Sequence, residues 1–254
     1  MIEGENEFMT DVLFYQNYTY VADISAIVLC IICWLLLHSS YTVREKSLII
    51  FKAGTVCLMM ATVCSISFHT AITRITESRK ILIYVLQDGI YLLLILTFVL
   101  LCNYFGTLLK LEERPARLLG AVSWGGYAVF AFLEIGSPFT HLGFYIDADL
   151  MVHQNFYFDP FRFAYIYYCI ILVVVLFTYR KKFVLKMLRC LAYILLFSFG
   201  MIALEAEYVS TSYSCMALLL PYMGVLFLFH YITLLLQFHV CRITFLSRQN
   251  SPKI

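Results

Sequence analysis

Charge is scarce in this sequence. Only 13% of its 254 residues are Asp, Glu, Lys or Arg, against about 25% in an ordinary soluble domain. Apolar side chains fill the deficit at 62% of the chain, and the mean hydropathy is +0.85. That balance excludes a soluble globular fold. Sequence signatures of catalysis are missing too: there is no phosphate-binding loop, HExxH, GxSxG or dinucleotide fingerprint. Ser65, Ser67 and His69 lie close together but carry no nucleophile elbow, and they read as helix-end residues. No basic patch interleaved with aromatics suggests a nucleic-acid partner, and no cofactor is implied. Nine cysteines are present, most of them inside oily runs. Cys30 and Cys33 have CxxC spacing within a helix, but no further ligands lie nearby. They read as packing residues, with neither a disulfide framework nor a metal site. The acidic head, Met1 to Asp11, has no basic region or small-residue cleavage site of a signal peptide, so it is expected to be retained.

Long apolar runs are what the chain does have. A membrane-spanning helix needs about 20 mostly apolar residues. The runs 18–38, 48–68, 81–109, 116–136, 163–180, 187–206 and 213–239 meet that need. The expected fold is therefore an all-α membrane protein, a seven-transmembrane helical bundle over 18–240. It is preceded by an extracytoplasmic segment, 1–17, and followed by a cytoplasmic tail, 241–254. Basic residues crowd one side of this arrangement. Only Arg74, Arg79, Lys80 and Arg162, of 18 Lys and Arg, fall in connections on the other side. The bias places the N-terminus outside and the C-terminus in the cytoplasm of a multi-pass cell-membrane protein. The run "RKKFVLK" between the fifth and sixth spans is its strongest inside anchor. The Lys/Arg runs are explained by this topology and by contact with anionic lipid.

One stretch breaks the helical pattern. "FTHLGFYIDADLMVHQNFYF" alternates with period two around an acidic turn, which is the signature of two strands. Leu142, Phe144 and Ile146 share one face; Gly143, Tyr145 and Asp147 share the other. "DADL" is the turn, with Asp suited to bonding its own backbone. The small β-hairpin, 141–157, would lie outside the membrane between helices 4 and 5. The sparse acids within spans cluster near that same side: Asp23, Asp88, Glu134, Glu205 and Glu207. Such groups are costly in a bilayer and face the bundle interior or water. With His141, Tyr145, Asp147, His153 and Tyr157 of the hairpin, they outline a ligand site under a lid, with Arg74 and Arg162 as partners. Asp88, the deepest, also has Gln87 and Tyr91 as neighbours to bond. A pocket opening outward is the corresponding expectation. His141 and His153 as a metal-binding or pH-sensing pair are weighed against a solvated loop pair, which is the plainer reading. Lys52 is placed to snorkel, Asn103 to bond across helices, and "SWGGYAVF" to form a tight helix contact or a small kink.

The order of seven spans followed after the fourth by "GSPFTHLGFYIDADLMVHQNFYF" resembles a known family. It is similar to the seven-helix N-terminal sensor region that precedes histidine kinase or diguanylate cyclase domains in many Gram-positive bacteria. Ser137, Pro138, Phe139 and Thr140 match that family's Asn-Pro-Phe-Thr run, with Ser137 replacing the Asn, and Phe144, Tyr145, Asp147 and Tyr157 continue the match. The resemblance implies a bacterial, non-enzymatic sensor or receptor for an external or membrane-borne ligand. It implies signal transduction to a cytoplasmic or membrane signalling partner, and a homodimer. After the seventh span only "VCRITFLSRQNSPKI" follows, without a kinase or cyclase. The expectation is thus either a sensor fragment or a chain acting through a partner. Two other classes remain open from the residues alone: a small transporter or permease, for which Asp88 is the midplane candidate, and an envelope assembly or scaffold protein.

Overall fold

The computed structural model describes residues 20–40, 46–154, 159–182, 185–207 and 214–225. Helix α1 spans Val21–Ser40, α2 Lys46–Ile72, α3 Lys80–Leu108 and α4 Glu113–Ile135. A single helical turn, Ser137–Thr140, leads into β1 (Phe144–Ile146) and β2 (Val152–Gln154). Three helices follow: α5 (Pro160–Thr178), α6 (Leu185–Glu207) and α7 (Ser214–Val225). Five helical stretches are long and apolar enough to cross a membrane, and they correspond to α1 through α5. The chain is therefore a multi-pass membrane protein, with its hairpin between the fourth and fifth long helices. In α6 the apolar stretch is only Ala192–Leu204, because Lys186 and Arg189 open the helix and Glu205 and Glu207 end it. The expected seventh run extends past residue 225. Its remainder, the segment 1–17 and the tail 241–254 lie outside the described residues.

Among the long helices α3 is the most buried, and α1 and α4 are the least. The bundle is thus arranged around α3, while α1 and α4 present apolar flanks such as Ile24, Leu35, Leu118 and Val129. Those flanks suit acyl chains, which offer no hydrogen bonds; polar groups must be satisfied inside the protein. The hydroxyls of Thr55, Thr62, Thr97 and Ser123 each donate to the carbonyl four residues earlier. Asn103 does likewise, Nδ2 to Val99 O at 3.0 Å, so it bonds its own helix rather than a neighbour. Tyrosines make several of the bonds between helices. Tyr168 donates from α5 to Ser123 O at 2.8 Å, and Tyr222 from α7 to Thr97 O at 3.1 Å. Tyr165 meets Ser198, which in turn donates to Ala217 O, joining α5, α6 and α7.

Close approach at those contacts requires glycine. A Cβ at Gly54 would stand 2.0 Å from the Tyr222 hydroxyl, and one at Gly126 would stand 2.4 Å from the Tyr167 ring. Nothing lies within 4 Å of a Cβ at Gly125. "SWGGYAVF" is therefore a tight contact at its second glycine only, and α4 runs unbroken through it. Gly126→Ala should cost about 1–3 kcal/mol through overpacking. Gly125→Ala should be neutral or stabilising by up to about 1 kcal/mol, through helix propensity. Thermal unfolding of the two variants in detergent checks the contrast.

Candidate functional site

The hairpin forms as its alternation requires. Phe144 and Ile146 are buried and Tyr145 points the other way; Tyr145 pairs with His153 in antiparallel register. Asp147 builds the turn. Its Oδ1 accepts the N–H groups of Asp149 at 3.0 Å and Met151 at 2.8 Å, while its own N–H donates to Met151 O. Leu150 closes the turn with a left-handed φ of 60°. The second strand is described over Val152–Gln154. Residues 155–158, including the candidate Tyr157, lie outside the described residues.

A two-stranded hairpin is marginal alone, and this one is fastened to the helix ends. The Phe144 ring meets Phe68 of α2 at 5.5 Å and Tyr84 of α3 at 5.8 Å. Tyr84 serves both backbone groups of Ile146: its hydroxyl accepts the N–H at 2.7 Å and donates to the carbonyl at 3.3 Å. Lys80 Nζ donates to Asp147 O at 3.0 Å, and Ser137 Oγ to Phe144 O at 3.3 Å. Directly beneath β1, Phe144 thus packs between the Phe68 and Tyr84 rings. On the outward face, Tyr145 sits between two imidazoles, 4.5 Å from His141 and 4.7 Å from His153. His153 Nε2 lies 3.0 Å from Asp147 Oδ2. That hydrogen bond, with the Met151 N–H, holds the Asp147 carboxyl below its usual range. No group of three His, Cys, Asp or Glu placed to hold a metal occurs among the described residues.

Behind the hairpin three carboxylates from three elements come together. Glu134, in the last turn of α4, is only 2% exposed, and its Oε2 is buried without a hydrogen-bond partner among the described residues. Asp88, half-buried on α3, and Asp159 are both within electrostatic reach of it. Asp159 caps α5: its Oδ1 accepts the Phe161 N–H at 2.9 Å, with Pro160 as the first helical residue, a favoured pairing. Tyr91, stacked on Phe161 at 4.8 Å, hydrogen-bonds the Asp159 carboxylate, and the Arg162 charge acts on it. Burial still dominates and pushes Asp159 up to about 6. Sequence reasoning passed over Asp159. Its signal was present in the Asp-Pro step that opens an apolar run.

The remaining candidates are placed differently. Asp23 is fully buried on α1 and accepts a hydrogen bond from Ser65 Oγ of α2 at 3.3 Å. Ser65 thus ties α1 to α2, while His69 Nδ1 meets Ser65 O at 2.8 Å within α2 itself. Arg74 is exposed. The side chains of Glu205 and Glu207 lie outside the described residues. The Lys52 ammonium lies over the Trp34 ring of α1 at 5.9 Å. Compared with known proteins, the chain matches no family model, no curated protein and no solved structure.

Carboxylates gathered in a low-dielectric setting need a proton or a cation to balance them. The pH dependence follows from Asp159. Its folded value lies above that of an unfolded Asp, so its contribution to stability is full below about pH 4 and lost as pH rises through about 6. The loss amounts to about 3 kcal/mol at most. Thermal midpoints should therefore fall between about pH 4 and 6 and level off above that. Asp159→Asn, which keeps a capping side chain, should flatten that slope.

Proposed function

We propose that this chain is a non-catalytic sensing module of the membrane. A proton or a small cationic ligand arriving from the hairpin side is received among Glu134, Asp88 and Asp159. The bundle passes the change to a signalling partner at the opposite end. The observation that carries this reading is the buried Oε2 of Glu134, unpartnered among the described residues and within electrostatic reach of two further carboxylates. A ligand shifts a conformational equilibrium only by binding its two states differently. Neutralising a cluster of like charges does that: the compact arrangement gains and the open one does not. The hairpin contacts α2, α3 and the turn after α4, so movement at the cluster is felt by the helices that hold it. The resemblance to seven-helix sensor regions of bacterial histidine kinases and diguanylate cyclases supports the same assignment. So does the charge bias, in which basic residues crowd the connections on the side opposite the hairpin.

Trp34 and Lys52 report on the far end of α1 and α2. In a Trp124→Phe background, reconstituted with the hairpin outward, an external step from pH 7.5 to 5.5 should shift Trp34 emission. The lumenal pH should stay constant, and the shift should be lost in Glu134→Gln. An unresponsive Trp34 would overturn the sensing role. Lumenal acidification abolished by Asp88→Asn would assign transport instead.

A further inference from the structure

The end of the bundle away from the hairpin carries a feature that the sensing role does not use. A cavity of about 660 Å³ lies between the start of α2, the end of α3 and the start of α4. Its walls combine two chemistries. Lys46, Lys110 and Thr107 stand near the helix ends, while Leu100, Leu119 and Trp124 line it deeper along the helices. At about 1.5 Å per residue, Leu100 lies roughly 15 Å along α3 from Lys110. That span accommodates a polar headgroup with the first part of an acyl chain.

We propose that this cavity is a binding site for an anionic phospholipid, its phosphate between Lys46 and Lys110 and an acyl chain along Leu119 and Trp124. Three observations carry the assignment. Both lysines are exposed and make no ion pair among the described residues. The nearby Glu113 is already engaged by Arg117, which leaves Glu112 as the other acid of that turn. Lys46 opens α2, whose helix dipole places partial positive charge there. The ligand is membrane-borne because the cavity borders lipid-facing surface: Trp124 in its wall is 48% exposed, and Leu118 and Ile49, beside wall residues Leu119 and Ile50, are 66% and 52% exposed. Thr107 has its hydroxyl committed to Tyr104 O, and Asn103 has one of its two amide hydrogens committed to Val99 O. The lysines are the cationic groups in the lining that can meet a phosphate. A Lys ammonium binds phosphate as a point charge, without the planar fork of Arg.

Trp124 is the reporter. The full chain with Trp34→Phe is reconstituted in phosphatidylcholine containing equal fractions of brominated phosphatidylglycerol or brominated phosphatidylcholine. The brominated anionic lipid should quench Trp124 about twofold more than the neutral one. Lys46→Gln with Lys110→Gln should equalise the two, and Lys46→Arg with Lys110→Arg should keep the difference. Lys181→Gln with Arg189→Gln, outside the cavity, should leave it unchanged. Equal quenching in the parent chain would overturn the site. So would a preference that survives the double Gln change. If glycerol phosphate at millimolar concentration abolishes the difference, the occupant is a free anion and the lipid assignment fails.

Discussion

A carboxylate enclosed by apolar helices has no water to share its charge with, and the hairpin end of this bundle is organised around that difficulty. Glu134 is nearly sealed from solvent at the end of α4, where the helix dipole is also unfavourable to an anion. Asp159 and Asp88 approach it from α5 and α3. Hydrogen bonds ease one member: Asp159 is held by the Phe161 N–H and by Tyr91. Glu134 keeps one oxygen without such help among the described residues. An arrangement of this kind is stable only with a counter-charge or a proton. Under the proposed role, that proton or counter-charge arrives from the hairpin side.

The hairpin makes that dependence mechanical. Its strands are too short to persist unaided, and their unpaired backbone groups are taken up by Tyr84, Lys80 and Ser137. Phe144 fills the gap between α2 and α3. The cover is thus an extension of the helix packing. Farther down, Tyr168, Tyr222 and the Tyr165–Ser198 pair carry hydrogen bonds from helix to helix, a set of contacts with few alternatives in a medium that offers no donors. Glycines at 54 and 126 let those tyrosines sit against neighbouring backbones. The proposed sensing role relies on these contacts to carry a displacement from one end of the bundle to the other.

Much of this was legible in the residues. Five long apolar helices and the two-residue period of β1 follow directly from hydrophobic patterning, and Asp147 was readable as a turn former. Burial of Glu134 and Asp23 was less accessible, since a carboxylate near a span end is equally at home in interfacial water; only the packing of other helices decides. Asp159 escaped notice because a helix cap is a local feature, and its approach to Glu134 is a contact across 25 positions of chain. The roles of Asn103 and of the two imidazoles depended on side-chain direction, which periodicity does not encode. The span count was the softest element, because charges at both ends of α6 shorten its apolar stretch.

Labelling of single cysteines from outside the cell tests the central claim most directly: that the hairpin faces outward with one side sealed on the helices. Asp149 is exposed at the turn, while Ile146 is 5% exposed on the covered face. The account predicts that a membrane-impermeant maleimide modifies Asp149→Cys readily and Ile146→Cys at least about tenfold more slowly, the ratio set by a docking free energy of about 1.4 kcal/mol or more. Equal rates at the two positions, or modification from the cytoplasmic side alone, would contradict it.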